Sequence, residues 1–227
     1  MAPITLENSY ASLPERFYSR IRPTPVKGPQ TAAVNDALAR HLGFEPEWLW
    51  SKAGADFITG NTLLAGSDPI ATVYAGHQFG NWVPRLGDGR AVLLGEVQDR
   101  DGIWQELQLK GAGQTPYSRS GDGRAPLGPI LRELLVSEAM ANLGVPTSQV
   151  LAAAATGELV YRERPTPGGV LVRVARSHIR IGTFEYFAAR DDKEAVELLT
   201  NYVIDRLYPE ISGGSAVDLL RALSKRQ

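Results

Sequence analysis

From Ile103 to Lys110 the chain alternates. Leu107 and Leu109 fall on one side, and Glu106, Gln108 and Lys110 on the other, because successive strand side chains point to opposite faces. This predicts a half-buried strand with Lys110 on its polar face. Ala91 to Val97 is an apolar run bounded by glycines, and Asp99-Arg100-Asp101-Gly102 has turn composition, so the two runs read as a β-hairpin. Ile70 to Tyr74 reads as a further short strand. After the hairpin the period changes. Leu127, Ile130, Leu131, Leu134 and Leu135 recur at helical spacing, and Gly144-Val145-Pro146 ends the pattern, which predicts a helix over 127–143. Strands are expected at 147–154, 158–163 and 169–175, punctuated by Thr156-Gly157 and by 165–168, and a helix at 194–207 before Pro209.

Before the first strand the pattern is weak. Pro14, Pro23, Pro25 and Pro29 forbid a long regular element, and only 31–42, with Val34, Leu38 and Leu42 on one face, suggests a short helix closed by Gly43. The expected fold class is α+β: an antiparallel sheet with one main helix. The expected division is an N-terminal extension over 1–55, a nucleotide-binding lobe over 56–180 and the start of a helical lobe over 181–227.

Composition narrows the chemistry. The chain has 227 residues, no cysteine, three histidines far apart (His41, His77, His178) and a net charge of -1. Disulfides, thiolate zinc sites and a cysteine nucleophile are excluded, and a histidine metal cluster is not expected. The charge balance supplies no global field for nucleic acid or an anionic membrane. No apolar run reaches the ~20 residues of a membrane span, and Glu7, Pro14, Glu15 and Arg16 interrupt any signal core. The expectation is a cytoplasmic protein with no nucleic-acid or membrane partner.

The candidate chemistry lies between Tyr74 and Glu138. Gly87-Asp88-Gly89-Arg90 could bring backbone amides and a guanidinium to a phosphate, although a tight turn explains the same wording. Lys110 ends a strand, and the helix after it carries two acids that could hold it, Glu133 and Glu138. Gly121-Asp122-Gly123-Arg124 precedes the helix. There Asp122 could accept from a ribose or base, or simply cap the turn. Arg173, Arg176 and Arg180 form a basic group, and guanidinium forks of Arg173 and Arg180 suit phosphates. His77, Trp82 and Tyr117 read as packing or loop-fixing residues. Walker, Rossmann and nucleophile-elbow motifs do not occur. The order of loop, hairpin, lysine and acidic helix is the order in which a protein-kinase small lobe builds a nucleotide site.

The wording is specific enough to name a family. Tyr74-Ala-Gly-His-Gln-Phe-Gly80, Leu86-Gly-Asp-Gly-Arg90, Gln108-Leu-Lys-Gly-Ala-Gly113, Thr115-Pro-Tyr-Ser-Arg119, Gly121-Asp-Gly-Arg124, Arg132-Glu-Leu-Leu-Val-Ser-Glu138 and Gly144-Val-Pro-Thr147 resemble the SelO (selenoprotein O, YdiU) family, as does the stretch 173–182. The resemblance implies a protein-kinase-like, pseudokinase fold that moves AMP from ATP to Ser, Thr or Tyr hydroxyls of proteins with Mg²⁺ or Mn²⁺. It implies nucleotide binding by Gly87, Gly89, Arg90, Lys110, Asp122, Gly123, Arg173 and Arg180, with Glu133 as the helix partner of Lys110. The family's catalytic Asp and its metal-binding Asn and Asp find no matching motif up to Gln227. The expectation is therefore a truncated chain with no catalytic or metal residue of its own, inactive or nearly so alone. Three rival readings are a nucleotide-binding module without turnover, a phosphotransferase moving the γ-phosphate, and a non-functional fragment.

Overall fold

The computed structural model describes residues 4–226; the expectations that touch 1–3 and Gln227 lie outside them. Two compact units are present, one of residues up to Val73 together with Gly87–His178, the other of Tyr74–Leu86 together with the residues from Ile179 onward.

In the first unit the strands are β1 (Tyr18–Arg20), β2 (Gln30–Val34), β3 (Ile70–Thr72), β6 (Ala91–Gln98), β7 (Trp104–Lys110), β8 (Ala125–Pro126), β9 (Gln149–Tyr161) and β10 (Pro165–Ala175). Its helices are α1 (Asp36–His41), α2 (Pro46–Trp50), α3 (Lys52–Thr59) and α4 (Leu127–Asn142). The sheet order is β1-β3-β6-β7-β10-β9-β2, with β8 pairing on β10, and every pairing is antiparallel. The α+β class with a mostly antiparallel sheet agrees with the sequence reading. Residues ahead of position 55 contribute both edge strands, β1 and β2, and all of α1 and α2.

The sheet separates two apolar layers. Leu107, Leu109, Val170, Val172 and Val174 point to one side, against Leu38, Leu42, Phe44, Leu49, Phe57 and Ile58. Leu171, Ala153 and Val150 point to the other, against Ile130 of α4, with Leu127, Leu131 and Leu134 alongside. Each buried Leu or Phe contributes about 1.5–3 kcal/mol relative to exposure, so the first layer is the main cohesion of this unit. The hairpin expected from alternation forms as β6 and β7, and Asp99 closes its turn by accepting from the backbone N–H of Asp101 and Ile103.

Three local readings change. Residues 31–34 are not helical: Thr31, Ala33 and Val34 pair with Ala154, Ala153 and Ala152 of β9, and the helix begins only after Asn35, whose side chain caps it by accepting from Leu38 N–H. The free edge of β9 outweighs a weak helical period of four residues. The strands expected at 147–154 and 158–163 are one continuous strand, because Thr156-Gly157 is absorbed as an irregularity between the Ala155–Gly169 and Leu159–Pro167 pairs instead of a turn. In α4 the stripe is narrower than the leucines suggest, and Leu135 is 67% exposed.

The second unit contains the hairpin β4 (Gly76–Gln78) and β5 (Asn81–Val83) and the helices α5 (Ile181–Ala188), α6 (Lys193–Leu207) and α7 (Ala216–Arg226). His77 packs on Trp82 with ring centroids 5.2 Å apart across the hairpin. Among the described residues no helix is long and apolar enough to cross a membrane.

Candidate nucleotide site

Alternation places Glu106, Gln108 and Lys110 on the α4 side of β7. Antiparallel register sets Arg173 opposite Gln108 and Leu171 opposite Lys110, so both cations share that face. Glu133, in the second turn of α4, reaches down between them. Its Oε2 accepts from Lys110 Nζ and its Oε1 from Arg173 Nη2. Side-chain exposures of 20% for Lys110, 27% for Glu133 and 16% for Arg173 make this a half-sheltered trio. The trio carries a net +1, so the carboxylate fixes two cations without cancelling them. Glu138, the other acid weighed from sequence, instead accepts from Asn35 Nδ2 and ties α4 to the cap of α1.

The loop before β6 is held from beneath. Asp88 is buried, and its Oδ2 accepts from Thr72 N–H at 3.0 Å, Thr72 Oγ1 at 2.7 Å and Gln108 Nε2 at 3.3 Å. Gly87 takes φ +71°, and a Cβ there would lie 2.3 Å from the Tyr117 ring, so glycine is required by both conformation and space. Gly89 donates its N–H to Gly87 O, and its carbonyl accepts from Ser118 Oγ. Tyr117 is thus a loop-fixing residue, with its hydroxyl 3.2 Å from Ser19 Oγ. Arg90 is exposed just ahead of β6 and beside the end of β7, since Ala91 pairs with Lys110 and Arg90 O accepts from Gly111 N–H.

The glycine-rich segment after Lys110 turns back on itself. It leaves β7 opposite Leu171 and returns as β8 opposite Gly169, along the same edge of β10. Gly113 N–H donates to Gly123 O, and Gly123, at φ +68°, sits so close that a Cβ would fall 1.9 Å from Gly113 O. Asp122 lies at this closure. It accepts from Arg124 N–H and from both terminal nitrogens of Arg162, at 2.8 and 2.9 Å. The Arg162 fork holds the Asp122 carboxyl below the usual aspartate range against the opposing effect of burial. Arg124 donates to Thr24 O and Pro25 O, anchoring the loop to the N-terminal segment.

Lys110, Glu133 and Arg173 are therefore brought together, Gly87, Gly89 and Arg90 flank the adjacent strand, and Asp122 and Gly123 close the following loop. Arg180 belongs to the second unit, where it precedes α5 and stacks over Tyr74 at 4.9 Å. Sequence reasoning missed three supporting residues. Arg162 lies forty positions from its partner, and Asp88 and Gln108 turn inward with no pattern to announce it. Gln108 Oε1 is itself buried and without a hydrogen-bond partner.

Among the described residues, the carboxylates of Glu133, Asp122 and Asp88 already have partners. Glu133 is taken by two cations, Asp122 by Arg162 and Asp88 by Thr72 and Gln108. A His41, Asp99 and Asp101 group lies at the β6–β7 turn. That turn is at the opposite end of a seven-residue strand from Lys110, about 20 Å away at the usual strand rise. Asp99 there already accepts from two backbone amides and from Gln105, with His41 Nε2 3.3 Å from its Oδ2. In the second unit a cleft of about 520 Å³ is lined by Val196, Thr200, Asn201 and Gly214 among others, and includes none of the residues above.

Comparison with known proteins decides the relationship. The family model described as Protein adenylyltransferase SelO matches residues 1–223. The chain belongs to the SelO family. Similar proteins carrying the name Protein nucleotidyltransferase YdiU occur in Alkalilimnicola ehrlichii (58% identity over 222 residues), Rhodopseudomonas palustris (56% over 223) and Rhizobium rhizogenes (56% over 227). The alignments cover 97%, 97% and 99% of this chain and 45% of each relative. The chain thus spans less than half the length of the SelO relatives it matches.

Proposed function

We propose that this chain is the nucleotide-binding part of a protein adenylyltransferase, which transfers AMP from ATP to Ser, Thr or Tyr hydroxyls of other proteins. The observation that carries the reading is the sharing of Glu133 between Lys110 and Arg173 on one sheet face. It holds two cations in fixed positions with a net positive charge, which suits a polyphosphate. In this reading Gly87, Gly89, Arg90, Asp122 and Gly123 complete the nucleotide contacts of the first unit, and the family resemblance assigns Arg180 of the second unit a nucleotide contact of its own. Residues 56–180 form a kinase-like small lobe, 1–55 extend it, and 181–227 open the helical lobe. The absence of cysteine fits a cytoplasmic setting.

The transfer joins an acceptor hydroxyl oxygen to the α-phosphorus and breaks the bond from that phosphorus to the bridging oxygen, releasing pyrophosphate and the hydroxyl proton. Lys110 and Arg173 contribute by orienting the phosphates and offsetting the charge that builds on their oxygens. Mg²⁺ or Mn²⁺ belongs to the family chemistry, but the carboxylates around Lys110 are committed elsewhere, so no step is assigned to a metal held by these residues. That same commitment favours a second reading, a module that binds nucleotide without turnover. Intact mass of the purified chain and of a generic protein acceptor, after incubation with ATP and either cation, separates the two. A gain equal to AMP, lost in Lys110→Met, supports transfer. A phosphate-sized gain points to a phosphotransferase and overturns it. No gain with ATP bound leaves the binding module.

A further inference from the structure

Arg162 ends the β9 strand region, one residue beyond Tyr161, and no motif marks it. Its guanidinium nevertheless makes four contacts. Nη1 donates to Asp122 Oδ2 and Tyr161 O, and Nη2 donates to Asp122 Oδ1 and Arg124 O at 3.0 Å. A half-exposed ion pair ordinarily contributes little, and here the side chains are 43% and 44% exposed. Two features set this pair apart. The fork is bidentate, which fixes the plane of the carboxylate as well as its distance. The two backbone carbonyls fix the guanidinium in turn, so the carboxylate meets a preformed partner.

The consequence lies at Asp122. A carboxylate has about four acceptor positions. Arg162 takes one on each oxygen and Arg124 N–H takes a second on Oδ1. The backbone N–H of Asp122 itself also contacts the carboxylate, and Arg162 is the partner that fixes Oδ2 and sets its orientation. The positive charge of Arg162 also balances an anion that would otherwise oppose phosphates at this loop. We propose that Arg162 is a positioning residue of the nucleotide site: it aims Asp122 so that Oδ2 accepts a hydrogen bond from a hydroxyl or amino group of the nucleoside, and it neutralises the carboxylate toward the phosphates. This inference rests on the nucleotide-binding reading above.

The test is a double-mutant cycle on ATP affinity, measured calorimetrically with the full chain. Arg162→Ala is expected to weaken ATP binding about five- to tenfold, within the usual range for coupled contacts. In an Asp122→Asn background the same change is expected to alter affinity by less than about twofold. Arg162→Lys, which keeps the charge and loses the fork, is expected to recover less than half of the loss on a logarithmic scale. Should Arg162→Ala fail to fold, Arg162→Lys and Asp122→Asn, which keep size and polarity, carry the cycle, with melting temperatures recorded for each. Equal affinities for the unaltered chain and Arg162→Ala, or losses that multiply in the double variant, overturn the positioning role. A chain that binds no ATP at all overturns the nucleotide reading, and this inference with it.

Discussion

Glu133→Gln isolates the electrostatic link between α4 and the sheet, because the amide keeps the size of the side chain and removes its charge. Lys110 and Arg173 each lose their shared counter-charge while remaining largely sheltered. Fully exposed pairs contribute about 0.2–1 kcal/mol, whereas removing one partner of a buried pair costs about 3–5 kcal/mol. At roughly one-fifth exposure, with two pairs broken at once and both cations able to turn toward water, we expect a loss of about 2 kcal/mol. For a chain of this size that lowers the melting temperature by about 4–8 °C. Lys110→Met should cost less, about 1 kcal/mol, because Glu133 keeps Arg173. The assay is thermal and urea unfolding followed by far-UV circular dichroism for the single variants and for Glu133→Gln placed on Lys110→Met/Arg173→Met. In that background Glu133→Gln should cost under about 0.5 kcal/mol, since no cation is left to lose. A single variant melting within about 1 °C of the parent, or a loss undiminished in the background, would refute the reasoning that this carboxylate works through the two cations.

Other expectations follow from the same packing. Asp88→Ala strands two Thr72 donors and the Gln108 amide in a buried place and should lower the urea unfolding free energy by about 3 kcal/mol. Gly123→Ala must place a Cβ 1.9 Å from Gly113 O and should give insoluble or unfolded protein on expression, whereas Gly102→Ala, also at positive φ but with open space around it, should fold and lose only about 1–2 kcal/mol in the same unfolding assay. Acid stability should depend on Asp122. Its folded-state pKa is depressed, chiefly by Arg162, so its contribution is complete above the ordinary aspartate pKa and is lost as pH falls through the lower folded value. Stability against pH, measured by denaturant unfolding, should therefore fall less steeply in Arg162→Ala than in the parent below about pH 4.

What could be read from sequence was what short-range periodicity encodes. The β6–β7 hairpin, the inward side of Leu107 and Leu109, and the helix over 127–142 follow from alternation and helical spacing within a few residues. Lys110 could be assigned to the polar face for the same reason. The choice between Glu133 and Glu138 could not be made, because it depends on how α4 is rotated over the sheet and on Asn35 arriving from a strand that only tertiary pairing creates. Residues 31–34 have helical spacing over too few positions to resist the open edge of β9. Asp88 read as a loop residue and is buried, since its three donors come from two strands sixteen and twenty residues away. Arg162 carried no signal, as its partner lies forty residues back across a β-hairpin register.

Lys110 and Arg173 are proposed above to bind the nucleotide phosphates. Isothermal titration of the unaltered chain, Lys110→Met and Arg173→Met with ATP tests it most directly. Saturable binding at one site is expected for the unaltered chain, weakened about tenfold or more in each variant. No binding, or affinity unchanged by both substitutions, would contradict it.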